Sequence, residues 1–104
     1  MATCDPVKSV YTSFNMQFEW DLRKAAANLR KHGVSFEEAS EAFRDPLNES
    51  FQDLVNPPNM ILMGRSVRSR LLYVVYVERT EDIIRIISAR RATSREEKSY
   101  EEGI

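Results

Sequence analysis

The sequence predicts an α+β domain in which a helix hairpin packs on a mostly antiparallel sheet of about four to five strands, with a short C-terminal helix. Two observations carry this prediction. Apolar side chains recur at helical spacing over residues 22–45, whereas residues 48–89 contain runs rich in valine, isoleucine, tyrosine and methionine, a composition typical of strands. A chain of 104 residues is long enough for one modest core.

The first segment shows no periodic pattern and contains Pro6 with several small polar residues. We therefore predict a flexible extension over residues 1–15 and a single folded domain over residues 16–104. Residues 17–21 alternate, with Phe18 and Trp20 on one side, which predicts a short strand with one buried face.

Two helices are predicted next, and Asp21 is placed to cap the first of them. The apolar residues of the first helix recur at positions i, i+3, i+4 and i+7 and predict a buried stripe: Leu22, Ala25, Ala26 and Leu29. Gly33 is suited to end this helix, since glycine readily adopts the left-handed conformation of a helix C-terminus. Ser35 and Glu38 form a capping box that begins the second helix. Asp45 ends it, because the residue before a proline disfavours helix.

The second half of the chain predicts strands and one last helix. An edge strand is expected over residues 48–53, and a three-stranded meander over residues 60–64, 70–79 and 83–89. The long middle strand is apolar at almost every position, so we expect it to be central and covered on both faces. Thr93 with Glu96, or Ser94 with Glu97, caps a final helix.

Composition argues against several functional classes. A single cysteine, Cys4, rules out an internal disulfide, and a single histidine, His32, makes a Cys/His metal site improbable, so no cofactor is expected. No apolar run approaches the roughly 20 residues that span a bilayer, and the N-terminus lacks the pattern of a signal peptide. We therefore expect a cytoplasmic protein with no membrane association.

Charge is unevenly distributed along the chain. The net charge is −1, yet residues 65–95 carry eight basic side chains, all arginine, and three acidic ones. A local basic stretch of this kind is typical of contact with nucleic acid. The alternative is that these arginines lie on solvated strand faces and pair with the acidic remainder of the chain.

RNA cleavage without a metal ion requires a base, an acid and cations that stabilise the charge on phosphorus. Arginine suits the third role because its planar guanidinium binds phosphate through two hydrogen bonds. Arg79 and Arg85 flank the last predicted hairpin, and further arginines gather at turns and at the start of the last linker: Arg65, Arg68, Arg70, Arg90 and Arg91.

The length of the hairpin loop decides how Arg79 and Arg85 are arranged. A three-residue loop places Arg79 opposite Ile83, so that both arginines share one face of the sheet. A four-residue loop instead places Glu78 opposite Arg85, which gives an ordinary ion pair. The sequence leaves both registers open.

Proton transfer has several candidates. His32 belongs to the residue type that exchanges protons near neutral pH, but a cationic side chain in the last turn of a helix also simply complements the helix dipole. Glu78, Tyr76 and Tyr100 are the other candidates, and buried tyrosines are more often core residues.

Several segments together resemble the BrnT family. They are FEWD at 18–21, KAAANLRKHGVSFEEA at 24–39, ERT at 78–80 and IRIISARRAT at 84–93, followed by Glu96 and Tyr100. The resemblance spans roughly residues 16–102. The polar signature of the family falls on these positions: Asn28, Lys31, His32, Glu78, Arg79, Arg85, Ser88, Arg90, Arg91, Glu96 and Tyr100.

The resemblance implies a toxin of a bacterial type II toxin–antitoxin system with a fold similar to the RelE-like ribonucleases. Such a toxin cleaves RNA, arrests growth and is silenced by a BrnA-like antitoxin whose ribbon-helix-helix part binds operator DNA, so that DNA is reached through the partner.

Two hypotheses follow for this chain. The first is a metal-independent endoribonuclease with catalytic residues His32, Glu78, Arg79 and Arg85. Its substrate-binding residues would be Lys31, Arg65, Arg68, Arg70, Arg90, Arg91 and Tyr100. The alternative is a catalytically weak or inactive subunit that acts only in an antitoxin–operator repressor complex. The residues Pro57, Pro58 and Asn59, which stand where the family usually has an acidic–arginine pair, favour this alternative.

Overall fold

The computed structural model describes residues 7–13 and 16–102 of the chain. Six strands and three α-helices follow one another in this order: β1 (Val7–Ser13), β2 (Met16–Asp21), α1 (Leu22–His32), α2 (Phe36–Glu41), β3 (Glu49–Gln52), β4 (Met60–Arg65), β5 (Leu71–Glu78), β6 (Ile83–Arg91) and α3 (Ser94–Glu102). A 3₁₀ turn, Ala42–Arg44, extends α2 as far as Asp45.

The strands form one sheet in the order β1-β2-β6-β5-β4-β3. Every neighbouring pair is antiparallel except β2 and β6, which are parallel over Gln17–Glu19 and Ile83–Arg85. The α+β class and the meander of β4, β5 and β6 are confirmed.

The strand beyond the predicted number is β1, which lies where a flexible extension was predicted. It pairs with β2 from Ser13 opposite Met16 to Val7 opposite Asp21. An edge strand offers unpaired N–H and C=O groups, and β1 satisfies those of β2. The division of the chain at residue 15 stays a prediction.

The core lies between one face of the sheet and the helix hairpin. Trp20 of β2 packs edge-on against Phe36 of α2 at 5.8 Å between ring centroids, and Phe43 of the 3₁₀ turn packs edge-on against both Phe18 and Tyr76. Alternate residues of β4, β5 and β6 complete this core: Leu62, Leu72, Val74, Ile84, Ile86 and Ala89.

The predicted buried stripe of α1 is wrong. Leu22 and Leu29 are each 51% exposed and Ala26 is exposed too, while only Asn28 is buried and Ala25 half-buried. The physical reason is the position of α1, which lies beside β6. Asn28 forms hydrogen bonds with the backbone of Ala89 at that strand. A helix at a strand edge buries a narrower face than one laid across a sheet.

In the part of the chain that the structure describes, α3 alone covers the opposite face of the sheet, and it does so at one end. Tyr100 of α3 packs there against Met63 and Leu71, with Tyr73 and Ala92 beside them. The other residues of β5 on this face, Val75 and Val77, are half-buried. The prediction that β5 is covered on both faces is therefore wrong for the part beyond α3. The uncovered part of this face, around Val75 and Val77, forms an open strip of the sheet.

Helix termini follow the predicted chemistry. Asp21 caps α1 by accepting from the N–H groups of Arg23 and Lys24, and Gly33 ends it with φ of +70°. Ser35 caps α2. Of the two predicted caps for α3, the structure has the Thr93–Glu96 capping box, in which each side chain accepts from the backbone N–H of the other residue.

Candidate functional site

The strand pairing sorts the open face into cross-strand rows. One row contains Val77 and Arg85, with Glu19 paired to Arg85 across the parallel junction. The next row runs Phe51, Ile61, Val75 and Ser88. A third runs Met63, Tyr73 and Arg90. Arg85, Ser88 and Arg90 of β6 therefore share this face, because residues opposite each other on neighbouring strands do so.

The β5–β6 hairpin has the three-residue loop. Arg79 N–H donates to the carbonyl of Ile83 at 2.8 Å, and Val77 lies opposite Arg85. Of the two registers that the sequence left open, this is the one that places Arg79 and Arg85 on the same face.

Both arginines converge on a carboxylate that was not among the predicted site residues. Nη1 of Arg79 donates to Oε2 of Glu19 at 2.7 Å, and Nη1 of Arg85 donates to the same oxygen at 3.3 Å. The side chain of Glu19 is only 18% exposed, whereas that of Arg79 is 50% exposed. Two cations around one carboxylate leave a net positive charge, with Arg79 directed to solvent.

Glu78 lies apart from this cluster. It is exposed and sits opposite Ile84, a residue of the core on the helix-hairpin face. Side chains alternate along a strand, so Glu78 and Arg79 point to opposite faces. Tyr76 is buried on the core face as well, and burial raises the pKa of its hydroxyl.

His32 and Lys31 lie at a surface pocket of about 230 Å³ between α1 and β6. Its lining is Lys24, Ala27, Asn28, Lys31, His32, Ile87 and Ser88. Ser88 belongs to the same face of β6 as Arg85, three residues along the strand. The structure thus places the pocket next to the arginine cluster, at the free edge of β6.

Arg90 is held in place by its own chain. Its two terminal nitrogens donate to the two carboxylate oxygens of Glu96 at 2.9 and 2.8 Å, and its guanidinium lies 3.9 Å from the centroid of the Tyr73 ring. The hydrogen bonds from Arg90 hold the pKa of Glu96 below its usual range. Arg90 therefore attaches α3 to the sheet.

Tyr100 and Arg65 form a second attachment of α3. The Tyr100 hydroxyl lies 2.8 Å from Oδ2 of Asp45 and 2.9 Å from the carbonyl of Leu47. Burial, and then the hydrogen bond to Asp45, raise the pKa of Tyr100 to about 12. Nη2 of Arg65 donates to Glu101 at 2.9 Å. These contacts leave Tyr100 protonated at neutral pH.

Arg70 belongs to the scaffold as well. It donates to both carboxylate oxygens of the buried Glu38 and to the carbonyl of Gly33, and Ser66 donates to the same carboxylate at 2.8 Å. The hydrogen bond from Arg70 lowers the pKa of Glu38. Arg68 and Arg91 are exposed. Of the seven predicted arginines, only Arg79 and Arg85 converge on one group at the open strip.

Two other kinds of site have no counterpart among the described residues. Within residues 7–13 and 16–102, no group of three histidine, cysteine, aspartate or glutamate side chains is arranged to hold a metal ion. Within the same ranges, no helix has the length and apolar character needed to cross a membrane.

The sequence did not predict Glu19 and Lys24 as members of these clusters, and only the family resemblance pointed to Ser88. Glu19 lies between two buried aromatic residues of β2, so the alternation placed it on the opposite face, but no pattern indicated that β2 pairs with β6. Lys24 precedes Lys31 by seven residues, a helical spacing that places both on one side of α1.

The fold and this surface define a class of protein: a small α+β domain whose open sheet face carries convergent arginines suited to phosphate binding. Residues 20–96 match the family model described as the ribonuclease toxin BrnT of type II toxin–antitoxin systems. The chain therefore belongs to the BrnT family, and the resemblance noted from its motifs is confirmed. Glu19 and β1 lie before the first matched residue.

A solved structure supports the fold. The chain is similar to the crystal structure of the Brucella abortus ribonuclease toxin BrnT, with a TM-score of 0.60 and 19% sequence identity, over 72% of this chain and 94% of that one. No curated protein matches the chain.

Proposed function

We propose that this member of the BrnT family is a metal-independent endoribonuclease that cleaves RNA at the open strip of its sheet. The observation that carries the proposal is the convergence of Arg79 and Arg85 on Glu19. Guanidinium groups bind phosphate as they bind carboxylate, so a phosphodiester can take the place of part of this ion pair.

The proposed reaction is an internal transfer at phosphorus. Glu19 accepts the proton of a ribose 2′-hydroxyl, and the 2′-oxygen attacks the adjacent phosphorus. The bond to the 5′-oxygen of the next nucleotide breaks, which gives a 2′,3′-cyclic phosphate and a 5′-hydroxyl. Arg79 and Arg85 stabilise the negative charge that builds on the phosphoryl oxygens, and stabilisation of this kind commonly contributes more to the rate than any other effect.

A second group protonates the leaving 5′-oxygen. We assign this role to His32, because histidine exchanges protons near neutral pH and His32 lies at the pocket beside the strip. Glu78 receives no role here, since it points to the other face of the sheet.

The flanking RNA is bound by exposed side chains around the strip. Lys31, Arg68 and Arg91 are exposed cations for its phosphates. Phe51, which is 42% exposed at the end of its cross-strand row, offers a ring for base stacking.

The family description implies an antitoxin partner. We propose a BrnA-like ribbon-helix-helix protein that silences the enzyme by covering the strip and contacts operator DNA itself, in the cytoplasm where RNA and operon are both found. Arg65, Arg70, Arg90 and Tyr100 support this surface from within the fold, because their side chains are bound to other parts of the chain.

The test is cleavage of a labelled single-stranded RNA by the purified chain in the presence of EDTA. We expect Arg79→Ala/Arg85→Ala to lower the rate by a factor of about 10² or more, and Glu19→Gln by about 10²–10⁴. Arg95→Ala/Lys98→Ala is the matched control, since it removes two exposed positive charges from α3, and it should cleave as the parent does.

The ion pairs that Arg79 and Arg85 make with Glu19 favour one alternative function. Arg79 and Arg85 are already neutralised in part by Glu19, as in an ordinary structural ion pair. A non-catalytic subunit of an antitoxin–operator complex would use this surface for protein contact alone. Absence of cleavage by a folded parent that still binds its antitoxin would support that alternative over the enzyme.

A further inference from the structure

We propose that the pocket between α1 and β6 is a second phosphate subsite, which holds a phosphate of the RNA strand next to the one that reacts. The inference rests on the proposed function, since it assigns a substrate contact to the same surface. Its phosphate-binding part can be tested without any cleavage.

Cationic and neutral donors line the pocket from two sides. Lys24 and Lys31 are one i, i+7 pair of α1, and His32 follows Lys31. Ser88 contributes a hydroxyl from β6. An oxyanion in the pocket can therefore receive hydrogen bonds from ammonium and hydroxyl groups, donors that phosphate takes in proteins, while the imidazole of His32 beside it stays available for the leaving 5′-oxygen.

The side chains of Lys24, Lys31, His32 and Ser88 make no hydrogen bond or ion pair with any residue in the described part of the chain. This distinguishes them from Arg65, Arg70, Arg79, Arg85 and Arg90, each of which is held by at least one glutamate. Among the described residues, none that lines the pocket carries a carboxylate. The pocket thus carries two positive charges that no described lining residue balances.

One effect opposes an anion here. The C-terminus of α1 lies at Gly33, and a helix C-terminus carries about half a negative charge. Two ammonium groups exceed that partial charge, and Lys24 sits in the first turn, at the far end of the dipole. The balance favours an anion over a cation.

The position of the pocket argues for RNA as the source of the phosphate. Ser88 and Arg85 lie on the same face of β6, three residues apart, which is roughly 10 Å along a strand. A single RNA strand that binds the arginines can therefore place the neighbouring phosphate in the pocket. A contact at a phosphate that does not react contributes to binding and leaves the chemical step unchanged.

Phosphate binding is measured first, with inorganic phosphate as the probe at constant pH and ionic strength. His32 is the only histidine of the chain, so its imidazole gives a single set of NMR signals. We expect these signals to shift saturably in the parent and to lose that response in Lys24→Gln/Lys31→Gln. A parent whose imidazole signals do not respond would overturn the subsite.

The helix itself supplies the control. Arg23→Gln/Arg30→Gln removes the same number of charges at the same spacing, one position earlier on α1, from two exposed residues that do not line the pocket. This variant should keep the saturable shift. An equal loss of response in both double variants would refute a built site and leave only general charge attraction.

RNA cleavage is measured second. For Lys24→Gln/Lys31→Gln we expect KM to rise about tenfold with kcat unchanged, and the salt dependence of RNA binding to become shallower by about 0.7 in the logarithmic slope, as for one lost phosphate contact. Phosphate binding without cleavage would refute the proposed function and support the subsite. Cleavage with an unchanged KM in the variant would refute the subsite and support the function.

Discussion

The amide group of Asn28 completes the free edge of β6. Its nitrogen donates to the carbonyls of Ala89 at 2.8 Å and Val34 at 3.0 Å, and its oxygen accepts from the N–H of Ala89 at 3.1 Å. β2 pairs with β6 only as far as Arg85, so the backbone groups of Ala89 on that side have no strand to bond to. Asn28 takes the place of that strand.

We expect Asn28→Ala to lower the free energy of unfolding by about 2–4 kcal/mol, because the buried backbone groups of Ala89 lose their partner and a small cavity opens. Urea denaturation followed by tryptophan fluorescence measures the change. Arg30→Ala, an exposed position on the same helix, is the control and should differ from the parent by less than about 0.5 kcal/mol. An Asn28→Ala protein as stable as its parent would show that water replaces the amide.

Individual residues also show which contacts the sequence does not predict. Apolar spacing in α1 predicted a buried stripe that contains Leu29, yet the buried side chain of the helix is polar Asn28. Helical periodicity assumes that a helix packs on an apolar surface, and it fails where the helix bonds to a strand edge. The sequence predicted that Arg79 and Arg85 share a face in one of two possible hairpin registers. It did not predict the contact with Glu19, because that contact depends on the parallel pairing of β2 with β6, which no local sequence pattern indicates.

At the scale of elements, α3 is attached to the sheet mainly by polar contacts. Arg90 links β6 to the first turn of α3 through Glu96, and Tyr100 links its last turn to Asp45. Tyr100 is the buried residue of this helix. The helix therefore depends on the geometry of its side-chain partners more than α2 does, which buries Phe36 and Ala39 in the core.

We expect Arg90→Lys to destabilise the protein by about 1–2 kcal/mol although it keeps the positive charge. Lysine cannot donate two parallel hydrogen bonds to Glu96 or stack its charge as a plane on Tyr73. Urea denaturation measures the loss, and hydrogen exchange should show faster exchange of the α3 amides than in the parent. Arg91→Lys, at the exposed neighbouring position, is the matched control. If α3 exchanges equally slowly in both variants, the Arg90–Glu96 pair does not attach it.

The helices that begin or end at a capping residue were predicted well. Asp21, Gly33, Ser35 and Thr93 each cap a helix as expected, because a cap is a local interaction that the sequence displays directly. The strands β4, β5 and β6 followed from runs of β-branched and aromatic residues. β1 was not predicted, since its segment has no alternation and its strand state depends on β2 beside it.

At the scale of the whole molecule, three carboxylates in the described part of the chain have lowered pKa values: Glu38, Asp45 and Glu96. Two of them each pair with an arginine of another layer. Glu38 of α2 is held by Arg70 at the start of β5, and Glu96 of α3 is held by Arg90 of β6. Hydrogen bonds from these arginines lower the pKa of each carboxyl below its ordinary value of 4.5. A lowered pKa in the folded state means that the unfolded chain binds protons more readily, so acid favours unfolding.

We therefore expect the stability to be fully present above about pH 5 and to fall as the pH drops below 4.5 through the lower pKa values of the folded state. Urea midpoints measured between pH 7 and pH 3 test this. Glu38→Gln should be less stable than the parent at pH 7 and lose less stability towards pH 3, because one of the carboxyl groups with a lowered pKa is gone. A steeper acid dependence in Glu38→Gln than in the parent would contradict the assignment.

The parallel pairing of β2 and β6 determines when the cluster of Glu19, Arg79 and Arg85 can assemble. Glu19 is separated from Arg79 by 60 residues and from Arg85 by 66, so the cluster forms only when both ends of the domain have met. Pairings of such long range are late events in folding, since a large loop must close first. During synthesis the ribosome releases Glu19 well before Arg79 and Arg85. A nascent chain therefore lacks the assembled cluster until Arg85 has emerged, and whatever chemistry that cluster performs begins only after that point.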